Sequence, residues 1–126
     1  MINTEQLEAS LDYRFRDRNL LLLALTHPSI AHEAGVGHLQ QHNQRLEFLG
    51  DAVLQLVVTS ALYERFPTYG EGPLTQARAQ MVNRLALAAH ARRLSLGTFL
   101  ILSRGEESTG GRVRTSTVAD AFEALV

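Results

Sequence analysis

The stretch from Asn43 to Asp51, Asn-Gln-Arg-Leu-Glu-Phe-Leu-Gly-Asp, constrains this chain more than any other. It opens an apolar-periodic segment that continues to about Arg65, and the spacing predicts one long helix over 43–65. On such a helix Gln44, Glu47 and Asp51 fall at i, i+3 and i+7 and share one face. Leu46, Leu49, Val53, Leu56 and Val57 line the opposite side as an expected core stripe. Two carboxylates four residues apart on one face repel each other and weaken an isolated helix by roughly 0.2–0.5 kcal/mol. A chain that keeps such a pair usually neutralises it with an arginine, with water or with a metal ion. Gly50 costs the helix roughly 1 kcal/mol relative to alanine, which points either to close approach of another backbone or to a tolerated defect.

At 126 residues the chain is expected to form one domain, and 45% hydrophobic residues suffice for a real core. There is no cysteine, which excludes disulfides and cysteine-based zinc sites and fits an intracellular, cytoplasmic location. The net charge of −1 is not that of a broadly basic nucleic-acid binder. The N-terminus lacks a basic segment followed by an apolar one, so no secretory signal is expected. The longest apolar run, Leu20 to Leu25, is far too short to cross a bilayer, and no membrane partner is expected.

Read in order, the chain is almost wholly helical. Thr4 can cap a first helix through Leu11, and Asp17 a second over Arg18 to Leu25, with Pro28 as its stop. Residues 31–42 hold His32, His38 and His42; a metal site is conceivable, but nothing fixes their spacing, and a polar loop is the plainer reading. After a loop around Phe66-Pro67 and Tyr69-Gly70-Glu71-Gly72, Pro73 suits the first turn of a helix running to Leu94. Gly97 ends it, Thr98 to Leu102 is an apolar connector, and Gly105 to Arg114 reads as a mobile loop. Ser116 or Thr117 can cap a last helix that carries Asp120 and Glu123 at i and i+3. Residues 73–117 hold seven arginines against two glutamates, a local balance of +5, whereas 43–71 balances to −2. This asymmetry is compatible with an acidic site flanked by phosphate-binding arginines or, more plainly, with a solvated face.

Two helices thus each offer a carboxylate pair. If the faces meet, four carboxylates surround one spot, an arrangement that cannot stay ionised and unpaired when partly buried. An all-oxygen cluster favours a hard cation, Mg²⁺ or Mn²⁺. Acidic pairs at this spacing are common on solvated helices, so spacing alone is weak evidence.

Residues 43 to 51 closely resemble the signature of the ribonuclease III domain, Asn-Glu-Arg-Leu-Glu-Phe-Leu-Gly-Asp, and differ at one position. Thr26-His27-Pro28-Ser29 resembles that family's Thr-His-x-Ser. Glu71-Gly72, Gly105-Glu106 with Gly110-Gly111, and Ala119 to Leu125 are similar to family segments in the same order. The resemblance implies an all-α endonuclease domain over 1–126 that cleaves double-stranded RNA as a homodimer with Mg²⁺, or Mn²⁺ in its place. By position, Glu47, Asp51, Asp120 and Glu123 would hold the metal, with Asp51 and Glu123 the most directly catalytic. Gln44 and Glu71 would lie near the cleavage site, and Phe48 would enter a socket on the partner subunit; read from the residues alone, Phe48 is an ordinary core aromatic. The products would carry 5′-phosphate and 3′-hydroxyl ends with short 3′ overhangs.

Two departures stand out. Position 44 is Gln where the family has Glu, so the site loses a charge and gains a donor. The family domain also continues past the point corresponding to Val126, so its C-terminal part is expected to be cut short, with no double-stranded-RNA-binding domain in 1–126. Two competing readings are a non-cleaving RNA-binding or assembly module on the same fold, impaired at Gln44, and a plain helical domain with solvated acids. The retained carboxylates argue against the former and the ordered motifs against the latter.

Overall fold

The computed structural model describes residues 3–33 and 42–126; the expected histidine-bearing loop over 31–42 lies largely outside them. Eight α-helices are described: α1 (Thr4–Leu11), α2 (Arg18–Leu25), α3 (Ser29–Glu33), α4 (Gln44–Arg65), α5 (Glu71–Val82), α6 (Arg84–Arg93), α7 (Arg104–Ser108) and α8 (Thr115–Leu125). Short 3₁₀ turns cover Leu96–Phe99 and Gly111–Val113. Among the described residues there is no strand, only an isolated parallel bridge between Thr26 and Ile101. The architecture is all-α, as the resemblance implies.

Local chemistry accounts for most boundaries. The Asp17 carboxylate accepts from the amides of Asn19 and Leu20 and caps α2 as expected. Thr4 does not cap α1; it is the first helical residue, and its buried hydroxyl finds no partner. Neither Ser116 nor Thr117 caps α8, which begins earlier, at Thr115. The expected helix from Pro73 to Leu94 is two helices. It starts at Glu71 and breaks at Asn83, which is extended (φ −74°, ψ 165°) and uses its side chain to cap α6 through the Ala86 amide. Apolar spacing runs through this break, although only α6 buries residues, Leu87, Ala88 and Ala91, while α5 buries none. The expected mobile loop after Gly105 is instead folded. Arg112 grips Glu107 and also donates to the carbonyls of Gly97 (2.7 Å) and Leu100 (2.9 Å), and Arg114 pairs with Glu106.

The centre of the fold is α8. Thr117, Val118, Ala119, Ala121 and Ala124 are buried, and α2, α4 and α6 all pack against this helix. Its small residues let three neighbours approach at once. Leu7, Leu21, Leu25, Leu87, Leu96 and Phe99 complete the core. By contrast, α4 buries only Gly50 and Leu62. The core stripe expected on α4 is therefore corrected: Leu49, Leu56 and Val57 are exposed, the last two at 67% and 57%. Periodicity identified the apolar face but could not say whether this chain or another body covers it. By length and composition α4 is also apolar enough to span a bilayer, a property that charged residues hid from a search for unbroken apolar runs.

Gly50 sits where α4 crosses α8. A methyl group there would overlap the Glu123 carbonyl oxygen and lie 2.6 Å from its carbonyl carbon. Backbone cannot move aside like a flexible side chain, so close approach explains this glycine. We expect Gly50→Ala to cost more than about 3 kcal/mol despite its better helix propensity. Gly72→Ala, where nothing lies within 4 Å, should be neutral or stabilising by up to about 1 kcal/mol. Urea unfolding of the two variants beside the parent checks both, and similar midpoints would refute the crossing argument.

Candidate active site

The crossing of α4 and α8 brings their acidic faces together. Glu47, Asp120 and Glu123 are half-buried, and each offers an oxygen within 4.8 Å of the others. Asp51, one turn along α4 from Glu47, is hydrogen-bonded to Glu123. Three of the four expected carboxylates thus converge, and the fourth attaches through Glu123. Burial, then the Asp51 hydrogen bond and the charges of Asp51, Glu47 and Asp120, push the Glu123 carboxyl up to about 8. Burial and the neighbouring Asp120 push Glu47 up to about 7. Asp120 is also raised, chiefly by burial, against the opposing pull of Arg84, Glu47 and His27.

Sequence reasoning missed Arg84 and His27 as neighbours of this cluster. Arg84, the first residue of α6, is a positive charge acting on both Glu47 and Asp120. The half-buried His27 imidazole accepts at Nδ1 from the Ser29 amide (3.0 Å). Burial lowers its pKa, against the raising charges of Glu106 and Asp120. The signal for Arg84 was present in the arginine-rich stretch but diluted by six others. Several of those are occupied within the chain: Arg78 on Thr59, Arg92 on Thr115, Arg112 on Glu107 and Arg114 on Glu106. The charge asymmetry of 73–117 is thus largely structural.

Gln44 is exposed at the start of α4, on the helix face that carries Glu47 and Asp51. Glu71 is not brought to the cluster in this chain. It lines a groove of about 520 Å³ with Thr59, Tyr63, Phe66 and Arg78, beside the far half of α4. Tyr63 lies about 18 Å along the helix axis from Asp51 at 1.5 Å per residue. Phe48 is no core aromatic, being 82% exposed.

The donor set fits a hard divalent cation. All three converging groups offer carboxylate oxygens, among the described residues no sulfur or imidazole joins the set, and crowding of carboxylates is of the kind a cation relieves. Without a cation, Glu47 and Glu123 bind protons more tightly in the folded chain than in the unfolded one. From the ordinary value of 4.5 up to about 7 for Glu47 and about 8 for Glu123, folded molecules hold the extra protons. Stability therefore falls as pH rises through that window and is flat in these groups above it. In chelator, Glu123→Gln should raise the melting midpoint relative to the parent at pH 8 and leave it nearly unchanged near pH 4.5. Calorimetric scans across that range check this; a variant that melts below the parent at pH 8 would refute it.

Comparison with known proteins agrees with this geometry. The family model described as ribonuclease-III-like matches residues 17–126. A ribonuclease 3 of Oleidesulfovibrio alaskensis is 52% identical over 122 residues, covering 97% of this chain and 52% of that protein. One of Desulforamulus reducens is 51% identical over 121 residues, covering 96% and 49%. The chain therefore spans about half the length of the curated relatives it matches. The nuclease domain of ribonuclease III from Campylobacter jejuni superposes with a TM-score of 0.88 at 46% identity, covering 98% of this chain and 81% of that one. The chain belongs to the ribonuclease III family.

Proposed function

We propose that this chain is the catalytic part of a metal-dependent endoribonuclease that hydrolyses double-stranded RNA. The observation that carries the reading is the convergence of Glu47, Asp120 and Glu123, with Asp51 joined to Glu123, in a chain of this family. Glu47, Asp120 and Glu123 would hold Mg²⁺, with Asp51 at the edge of the set, and Mn²⁺ could replace it. When bound, such an ion polarises a phosphoryl oxygen and lowers the pKa of water. The half-buried carboxylates keep the site preorganised, and Asp51 fixes the Glu123 carboxyl through their hydrogen bond. Water adds to phosphorus and the bond to the 3′ oxygen breaks, leaving a 3′-hydroxyl on one fragment and a 5′-phosphate on the other. Duplex RNA is recognised through its shape and its 2′-hydroxyls across the minor groove. Duplex RNA should be cut with Mg²⁺ and not in excess chelator, and duplex DNA should be spared. Glu123→Gln and Asp51→Asn should each abolish cleavage while retaining RNA binding. Gel assays with both duplexes decide this, and equal cutting of DNA would sink it.

The carboxylates of Glu47, Asp120 and Glu123 converge with Gln44 in place, which favours an active site over a non-cleaving module. A glutamate there would accept stronger hydrogen bonds from water around the scissile phosphate than an amide does. Gln44→Glu should speed single-turnover cleavage with little change in RNA affinity. Equal rates in both forms would remove any role for position 44.

The exposed apolar face of α4 supports a homodimer. Phe48, Leu49, Leu56, Val57 and Tyr63 are all exposed along this one helix, the kind of apolar surface that marks an interaction site. A similar Campylobacter jejuni structure is described as showing flexibility in a region involved in dimer formation. In a two-fold dimer Phe48 of each copy enters the other, and Glu71, remote from its own cluster, can serve only the partner's site. Phe48→Ala should remove roughly 3–5 kcal/mol per buried ring and shift the chain toward monomer in sedimentation velocity. A parent that is monomeric at high concentration would refute the dimer.

A further inference from the structure

The C-terminal end of α2 is tied to a distant segment through Asn43, the buried polar residue of the signature. A helix leaves its last four carbonyls without partners inside the helix. Here Leu22 accepts from the Thr26 hydroxyl (2.7 Å) and Leu23 from the Thr26 amide (3.1 Å). Leu25 accepts from the Ile101 amide (2.9 Å), and Ala24 from the Asn43 side-chain amide (3.1 Å). The Asn43 backbone amide donates to the next carbonyl, Thr26 (2.9 Å). Asn43 is only 4% exposed.

Asn43 is also the residue at which α4 starts, since its carbonyl accepts the first helical bond, from the Glu47 amide (2.8 Å). An asparagine at that position normally turns its side chain back to cap its own helix. This one makes no such bond. Its side chain is committed to α2 instead, at the expense of local helix capping. One residue thus holds α2 with two donors and Glu47 with its carbonyl. We propose that Asn43 is a positioning residue of the carboxylate cluster, fixing the first turn of α4 on the end of α2 so that Glu47 stands opposite Asp120 and Glu123. The proposal rests on the reading of that cluster as a divalent-metal site.

A residue that orients a ligand from behind changes metal affinity, whereas one that merely supports the fold changes melting alone. Asn43→Ser separates the two, because serine can cap α4 yet is too short to reach the Ala24 carbonyl. Mn²⁺ binding to the metal-free chain is measured by paramagnetic resonance, thermal melting in chelator, and RNA cleavage against Mg²⁺ concentration. The expected result is a melting midpoint within a few degrees of the parent, Mn²⁺ affinity lower by roughly tenfold or more, and a matching rise in the Mg²⁺ needed for half-maximal cleavage. The RNA KM at saturating Mg²⁺ should not move. Asn43→Asp, which keeps the size and loses the donor, should weaken Mn²⁺ in the same direction. Parent-like Mn²⁺ affinity in either folded variant overturns the proposal, as does unfolding of both, which would make Asn43 a folding residue only. A parent chain that binds no Mn²⁺ refutes the metal reading itself, and the proposal falls with it.

Discussion

The contact of Gly50 with the Glu123 backbone governs this molecule. Helix axes separated by ordinary side chains lie 8–10 Å apart. At Gly50 there is no side chain, and α4 meets the main chain of α8 directly. Glu47 and Asp51 lie one turn before and just after the crossing, and Glu123 is the very residue approached. Close approach therefore makes a cluster out of two carboxylate pairs that would otherwise be separate solvated faces. The same crossing explains why α8 is rich in alanine. Leucines at Ala119, Ala121 and Ala124 would force α2, α4 and α6 away from it.

Such a cluster works against folding. Burial and the neighbouring carboxylates raise the proton affinity of Glu47 and Glu123, and Arg84 is the positive charge that acts on both Glu47 and Asp120. Other arginines of the same stretch hold the segment before α8 in place. Arg112 binds Glu107 and the carbonyls of Gly97 and Leu100, and Arg114 binds Glu106 and the Thr109 carbonyl. Arg78, Arg92, Arg112 and Arg114 are thus spent on the scaffold, while Arg84 acts on the cluster. This division suits a site whose missing charge comes from a bound cation. A well-placed second arginine would neutralise the cluster and compete for its oxygens.

How much of this was legible in the sequence follows from the range of each interaction. The bounds of α2, the Asp17 cap and the span of α4 depend on neighbours within a few residues, and the sequence shows them. The i, i+3 and i+4 spacings show which acids share a face. That the two faces meet depends on Gly50, which was compatible with either close approach or a defect until α8 was seen against it. The break at Asn83 escaped because apolar spacing continues through it. The segment after Gly105 looked mobile because glycines and charges were visible, while the carbonyls of Gly97 and Leu100 that anchor Arg112 come from an earlier segment. Nothing in the sequence set Asn43 apart from the rest of the signature, and only the fold shows its amide turned toward Ala24.

The exposed face of α4 was the hardest feature to read, and it has the widest consequence. Leu49, Leu56 and Val57 obey the periodicity of a core stripe, and burial is the right expectation for a chain that covers its own apolar surface. Here α8 takes the Gly50 side of α4, and the stripe is left outward. One helix thus has two tasks that cannot exchange faces: the acidic side is committed to α8 and the apolar side to whatever covers it. Glu71 lies beside the distal half of α4 and cannot fold back to its own cluster. A two-fold partner would cover the apolar face and run its α4 the other way, so that distal residues of one copy approach proximal residues of the other. In that arrangement the second copy would cover the exposed apolar face and bring Glu71 towards a carboxylate cluster that it does not reach in its own chain.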